Sequence, residues 1–183
     1  MPYQIRPARF DDCAALSQVG EATFAMASPP DSAAAAQHHY IVHHLQPEHF
    51  QAHLRHPHKR LLVLEQGGQV LGYSMLDLAP GVLGVAAADR LVEVSRCYVL
   101  PCAHGQGAAQ QLLEATLAQA HGPVRLTVNE ANARAIRFYQ RNGFAKVGEA
   151  VFTCGDERHR DWVMVRSSLA PDPATLSTAK ACT

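Results

Sequence analysis

Charge of one sign, paired cysteines and long apolar runs are all missing from this sequence. Sixteen basic residues face sixteen acidic ones over 183 positions, so no bulk positive field draws nucleic acid or an anionic membrane to the chain. The five cysteines stand at 13, 97, 102, 154 and 182, an odd number with no Cys-x-x-Cys spacing. A disulfide framework and a zinc knuckle are therefore not expected, and the cysteines read as reduced thiols. The opening stretch MPYQIRPARF lacks the apolar core of a signal peptide, and no apolar run approaches the roughly 18–20 residues that span a bilayer. The expectation is a cytoplasmic protein with no nucleic-acid or membrane partner and no metal.

What is present is a 48 % hydrophobic content, enough for one domain with a real core. Hydrophobic periodicity predicts a short strand over residues 3–7, a helix over about 13–27 with Asp11 or Asp12 as its cap, and a second helix to about Leu45 capped by Asp31 or Ser32. Pro47 then suits the first turn of a short helix to about Arg55. KRLLVLE and VLGYSMLDL flank QGGQ and read as a β-hairpin. The small-residue connection APGVLGVAAAD leads to a strand over 91–100, ended by Pro101. A helix over 108–121, a strand over 124–129 and a helix over 131–142 follow, with Gly143 at the last C-terminus. Phe144–Thr153 and Trp162–Ser167 close as an antiparallel pair around the polar CGDERHRD. The predicted class is α/β (α+β), a single domain over residues 1–169 on a mixed, mostly antiparallel sheet flanked by helices. The segment 170–183 has no apolar face and reads as a loose tail.

The stretch VLPCAHGQGAAQQLLE raises the functional question. Side chains are stripped away where a strand hands over to a helix. Such a backbone can approach a ligand closely, and the first N–H groups of the helix are unpaired and partly positive. That is a recipe for holding phosphate oxygens. A Walker loop needs Gly-Lys-Ser/Thr, and here Gly107 is followed by Ala108 and Ala109. A dinucleotide fingerprint needs a third glycine where Gln110 stands, and an acidic residue about twenty positions on. Neither fits.

The same stretch resembles the acyl-CoA-binding motif of the GNAT-type N-acetyltransferases, Gln/Arg-x-x-Gly-x-Gly/Ala after a strand ending in Val-x-Pro. His104 takes the Gln/Arg position, Gly107 the glycine and Ala109 the Gly/Ala. LTVNEANARAIRFYQRNGF resembles the second motif of the family, a strand followed by Asn-x-x-Ala-x-x-x-Tyr and Gly-Phe. The resemblance covers about residues 3–169, and within the family the chain looks most like the bacterial branch that includes polyamine acetyltransferases. It implies acetyl-CoA as co-substrate and direct transfer of acetyl to a primary amine of a small molecule or peptide. Cys97, Tyr98 and Val99 would run beside the pantetheine arm, and His104, Gly105, Gln106, Gly107, Ala108 and Ala109 would cradle the pyrophosphate. Asn132 would bond the pantetheine arm or cap its own helix, and Asn129 would line the cleft where two strands splay. A homodimer is common in the family, and GVLGVAAA offers it an apolar surface.

Tyr139, seven residues after Asn132, matches the general acid of the family; a phenol can protonate a departing thiolate of pKa about 8.5. For the base, Glu93 is the candidate. On an alternating strand Glu93, Ser95, Cys97 and Val99 share one face, although pairing with Arg90 or Arg96 is the competing role for its carboxylate. Cys97 reads as a packed thiol, since direct transfer needs no acyl-enzyme. The backbone N–H near Val99 is the expected oxyanion donor.

Eight of eleven histidines fall between His38 and His58. His39/His43 and His49/His53 have the i, i+4 spacing that can share a metal, but no cysteine or carboxylate set completes a site. The segment precedes the hairpin, where this family walls its acceptor site, so some of these histidines are expected to meet the substrate and to titrate near pH 6.5. Two other readings compete with the enzyme: a non-catalytic acyl-CoA-binding module, and an acetyltransferase of a protein N-terminus or another macromolecule.

Overall fold

Two glycines close the first hairpin. In this computed structural model, which describes residues 2–167, β2 (Lys59–Gln66) and β3 (Gln69–Asp77) meet at Gly67 and Gly68, with φ of 59° and 81°. A type I′ turn demands positive φ at both central positions, and its twist matches that of the strands it joins. The expected tail over 170–183 lies outside the described residues.

Seven strands form one sheet in the order β1-β2-β3-β4-β5-β7-β6. They are β1 (Gln4–Pro7), β2, β3, β4 (Val92–Val99), β5 (Val124–Asn129), β6 (Ala145–Cys154) and β7 (Glu157–Arg166). Every neighbouring pair is antiparallel except β4 and β5. Helices α1 (Cys13–Ala27), α2 (Ala34–His44) and α3 (Pro47–Arg55) cover one face, around Leu16, Phe24, Phe50, Val63 and Tyr73. Helices α4 (Ala108–Leu117) and α5 (Ala133–Arg141) cover the other, around Leu113, Leu126, Ile136 and Phe144. The expected class and the mostly antiparallel mixed sheet are what is found.

Three details differ from the sequence reading. Asp12 does not cap α1 with its side chain; it forms an ion pair with Arg6 at 2.7 Å. The α2 cap comes from far along the chain: Glu157 accepts from Ala33 N and Ser32 Oγ, both at 2.8 Å. β7 begins at Glu157 rather than Trp162, so most of the polar CGDERHRD is strand. It is polar because β5 pairs with β7 only from Asp161 onward, leaving the first half of the arm beyond the main sheet. There Arg160 pairs with Glu130 and His159 with Glu157 instead of packing on a core.

The feature that positions everything else is the contact between β4 and β5. These parallel strands pair only through Val92↔Val124 and Glu93↔Arg125 and then part. β4 continues along β3 as far as Gly72↔Val99, while β5 continues along β7 to Asn129↔Asp161. A register shift opposite Met75/Leu76 leaves Ser95 as an extra residue in β4, its hydroxyl donating to Met75 O at 3.1 Å. Such a bulge bends its strand and increases local twist.

Where the strands still touch, Arg125 is only 1 % exposed. Its Nε and Nη2 reach one Glu93 carboxylate oxygen at 2.8 and 2.7 Å. The remaining donors hold the small-residue connection before β4, through Ala88 O at 3.1 Å and through Gly81 O. That connection is thus ordered by a buried cation, with Val85 packed over Gly148 and Val82 left 80 % exposed.

Removing one partner of a buried pair strands the other charge, at a cost of about 3–5 kcal/mol. Arg125→Ala should lower the melting temperature by roughly 6–20 °C at this chain length. Calorimetry checks it, and a melting temperature within about a degree of the parent would show that the pair is not the clamp described.

Candidate active site

A cleft of about 520 Å³ opens where β4 and β5 part. Because the gap passes between strands, it communicates with both faces of the sheet. On the α4/α5 face lie Cys97, Val99, the loop after β4, Phe138 and Tyr139; on the α1–α3 face lie Phe24, Met26, Tyr40, Arg96, Tyr98, Phe152 and Asp161.

Gly105 and Gly107 adopt φ of 75° and 82°, and Gly107 is the N-cap of α4 with no side chain bonding its first turn. The early N–H groups of this ten-residue helix are therefore available to an anion. His104 is a strut within this cradle. Its Nδ1 lies 3.0 Å from Arg134 Nη1, and its Nε2 lies 2.8 Å from Val99 O. A guanidinium only donates, so Nδ1 accepts and the ring proton sits on Nε2, which donates to the carbonyl. The cation beside the loop is Arg134 of α5, with Arg141 also lining the cleft. Gln106 is not part of the lining; its Nε2 donates to Cys102 O at 2.9 Å.

Backbone direction supplies another donor. Leu100 N–H bonds Leu71 O across β3 at 2.8 Å. Successive N–H groups on a strand point opposite ways, so Val99 N–H faces the gap.

Tyr139 lines the cleft beside Phe138 and Phe144, with ring centroids at 5.3 and 5.7 Å. Burial raises its pKa well above the ordinary phenol value, and the neighbouring Cys97 and Tyr98 raise it further. Burial also pushes the Cys97 thiol up to about 12. Cys97 is thus a protonated packing residue and not a nucleophile. Asn132 caps α5, its Oδ1 accepting from Ala135 N at 3.0 Å, while Nδ2 remains at the cleft near Met26 O. Asn129 donates to Asp161 Oδ1 at 3.3 Å.

Glu93 stands apart. The extra residue at Ser95 reverses the alternation of β4, so Val94 joins Cys97 on the α4/α5 core and Glu93 turns to the opposite side. There it is bound to Arg125 and does not line the cleft. A strict period of two placed it wrongly, and neither Arg90 nor Arg96 is its partner. The carboxylate that does line the cleft is Asp161, 7 % exposed, its pKa pushed up to about 6 by burial. The sequence signal for it was the acid directly before the apolar run WVMV, hidden by reading its segment as a loop.

None of the histidines between His38 and His58 lines the cleft; Tyr40 is the residue that segment contributes. His53 is driven down to about 4 by burial and then by Arg96, so it is neutral at physiological pH instead of titrating near 6.5. Among the described residues, no group of three or more His, Cys, Asp or Glu side chains is placed to hold a metal ion.

Residues 25–144 match the model of the acetyltransferase (GNAT) family. The chain belongs to the GNAT family. Uncharacterized N-acetyltransferases of Mycobacterium bovis and Mycobacterium tuberculosis are 37 % identical to it over 159 residues, covering 85 % of this chain and 97 % of theirs. Its fold is similar to that of a PaiA N-acetyltransferase from Thermoplasma acidophilum in complex with coenzyme A, with a TM-score of 0.74 at 17 % identity, covering 92 % of this chain and 100 % of that one. A putative acetyltransferase from Salmonella typhimurium, with its cofactor acetyl-CoA, gives 0.63 at 21 % identity, covering 94 % and 99 %. As a GNAT member the chain is an N-acetyltransferase.

Thiol chemistry tests the reading of Cys97. Exposed Cys102 should react with iodoacetamide well before Cys97 at pH 7.5. Peptide mass mapping after brief labelling would show this order, and preferential labelling of Cys97 would contradict a half-buried, protonated thiol.

Proposed function

We propose that this N-acetyltransferase transfers acetyl from acetyl-CoA directly to the primary amine of a small molecule, with Tyr139 as general acid and Asp161 as base. The observation that carries the reading is the gap between β4 and β5, which has phosphate-type donors and Tyr139 on one side and Asp161 on the other. Two substrates entering from opposite faces can meet there without either passing the other.

The residues present suit a pyrophosphate and its pantetheine arm. The uncapped first turn of α4 and the left-handed Gly105 and Gly107 provide N–H donors, and Arg134, oriented by His104, adds charge. Acetyl-CoA supplies the activated acetyl group. Val99 N–H, facing the gap, is placed to hold the carbonyl oxygen as it gains negative charge. Tyr139 keeps its proton across the working range, because burial disfavours the phenolate, and gives it to the departing sulfur. An alkylamine of pKa about 10.4 is mostly protonated at neutral pH. The neutral fraction is the one that attacks, and Asp161, with a carboxyl titrating near 6 and ionised at neutral pH, takes the proton its nitrogen sheds as the amide forms, directly or through one water. The homodimer and the cytoplasmic setting expected from the sequence belong to the same proposal; the exposed Val82, Val147 and Val151 are among the apolar side chains available to a second copy.

Release of free CoA thiol from acetyl-CoA, followed across a panel of amines, tests this. Tyr139→Phe should lower turnover by about 10²–10⁴-fold while acetyl-CoA still raises the melting temperature. Full activity in the variant would remove Tyr139 from the chemistry. Stabilisation by acetyl-CoA without turnover of any amine would favour the non-catalytic binding module.

The pH profile tests Asp161 separately. Between about pH 6 and 9, log kcat/KM should rise with slope one as the amine loses its proton. Below about 6 the slope should steepen to two, because protonation now also removes the base. Asp161→Asn should be slower and keep slope one throughout; a slope of two surviving in the variant would assign the second proton elsewhere.

A further inference from the structure

We infer that the acceptor is an amine that also carries a carboxylate, of amino-acid type with an apolar body, and that Arg96 binds the carboxylate. The inference rests on the acetyltransferase reading above and names the substrate class of that same site.

Arg96 lines the acceptor side of the cleft. Its guanidinium lies over the Phe50 ring, 5.7 Å from the centroid, and Nη2 donates to His44 O at 3.3 Å. Among the described residues, Nη1 and the Tyr73 hydroxyl are shut off from water with no partner in good hydrogen-bond geometry, although the Tyr73 and Tyr40 hydroxyls lie beside the guanidinium. Among the described residues, the ion pairs of the protein engage Arg6, Lys59, Arg125, Lys146, His159 and Arg160, but not Arg96. Arg125 shows what the chain does with a purely structural cation: it gives it Glu93 and two carbonyls. Arg96 receives tyrosines and histidines instead, and no carboxylate. A half-buried cation held only by a carbonyl, hydroxyls and a ring gains from a ligand that brings an anion to it.

The neighbours register this uncompensated charge. Burial is the first cause that lowers His44 and His53, and Arg96 is the second. Tyr98 feels both charges of the cleft. Burial pushes it up to about 12, with Arg96 pulling it down and Asp161 pushing it up. The acceptor half of the cleft thus has a cation on β4 and an acid across the gap on β7, matching the carboxylate and amino ends of one small molecule. Between and around these poles the wall is apolar. Phe24 stacks on Tyr40 at 4.6 Å, Phe152 meets Tyr40 edge-on at 5.3 Å, and Met26 completes the lining. A polyamine, by contrast, would place a second positive charge against Arg96, so the polyamine branch to which the sequence bears most resemblance is not the class this pocket favours.

The test compares apolar L-amino acids with their carboxamides, and both with spermidine, by CoA-thiol release at a pH where the α-amines are neutral. The carboxylate members should be preferred over their amides by about 10–100-fold in kcat/KM, expressed mainly in KM, the range of a charge-assisted hydrogen bond. Arg96→Gln should collapse that ratio to within about threefold, whatever it does to each rate, and Arg96→Lys should retain part of it. A merely structural Arg96 would lower both members alike and leave the ratio standing. Equal or better turnover of the amides or of spermidine by the parent protein overturns the inference even if Arg96→Gln fails to fold. Turnover confined to amines without a carboxylate overturns it while leaving the acetyltransferase reading intact. Failure of acetyl-CoA both to stabilise the protein and to release CoA with any amine overturns the two together.

Discussion

The site depends on two parallel strands being held together at one end and released at the other. Glu93 and Arg125 are the last paired residues of β4 and β5. Their side chains form a buried ion pair that also ties down the connection preceding β4. Burying a charge pair is an expensive way to hold strands and is a weak argument for net stability. It does specify position, since the charges tolerate no slip. Beyond it, the extra residue at Ser95 bends β4 away, and β5 is kept in place by β7. The resulting gap is bordered by Arg96, Val99, Asn129, Tyr139 and Asp161.

A gap that passes through a sheet divides labour between its faces. The α4/α5 side is built from glycines, an uncapped helix turn and Arg134, which suit a phosphate-bearing chain. The other side is built from aromatic rings, one buried acid and one cation that meets no carboxylate among the described residues, which suit a small molecule with charged ends. Tyr139 and Val99 N–H stand where the two meet. The pKa directions agree with this division: burial keeps Tyr139 and Cys97 protonated, and it raises Asp161 only far enough that the acid remains ionised at neutral pH.

Much of this was legible in the residues. The turn at QGGQ, the helix starting at Pro47, the break at Pro101 and the glycine cradle all follow from local backbone chemistry, which leaves direct marks in sequence. Tyr139 and the loop over 104–109 were singled out by their resemblance to the motifs of the family, and all of them but Gln106 line the cleft. Glu93 was misplaced because one inserted residue in β4 inverts the strand's alternation, and no residue type announces a bulge at Ser95. Asp161 was passed over because a polar hairpin arm looks like a loop until its pairing partner is known. The histidine-rich segment drew attention by composition, yet it contributes Tyr40, because the helix faces of α2 and α3 turn the rings elsewhere.

By itself, the sequence determined the class of fold, the order of its elements, the phosphate-type cradle at the start of α4 and the tyrosine at its edge. These depend on propensities, turn geometry and spacings of a few residues, which are local. Tertiary structure alone decided which carboxylate clamps and which faces the cleft, that His104 braces Arg134, that α2 is capped by Glu157 and that Arg96 has no counter-charge among the described residues. Each of those is a contact between elements distant along the chain, set by strand register and by burial, and one residue's shift in β4 is enough to exchange the partners.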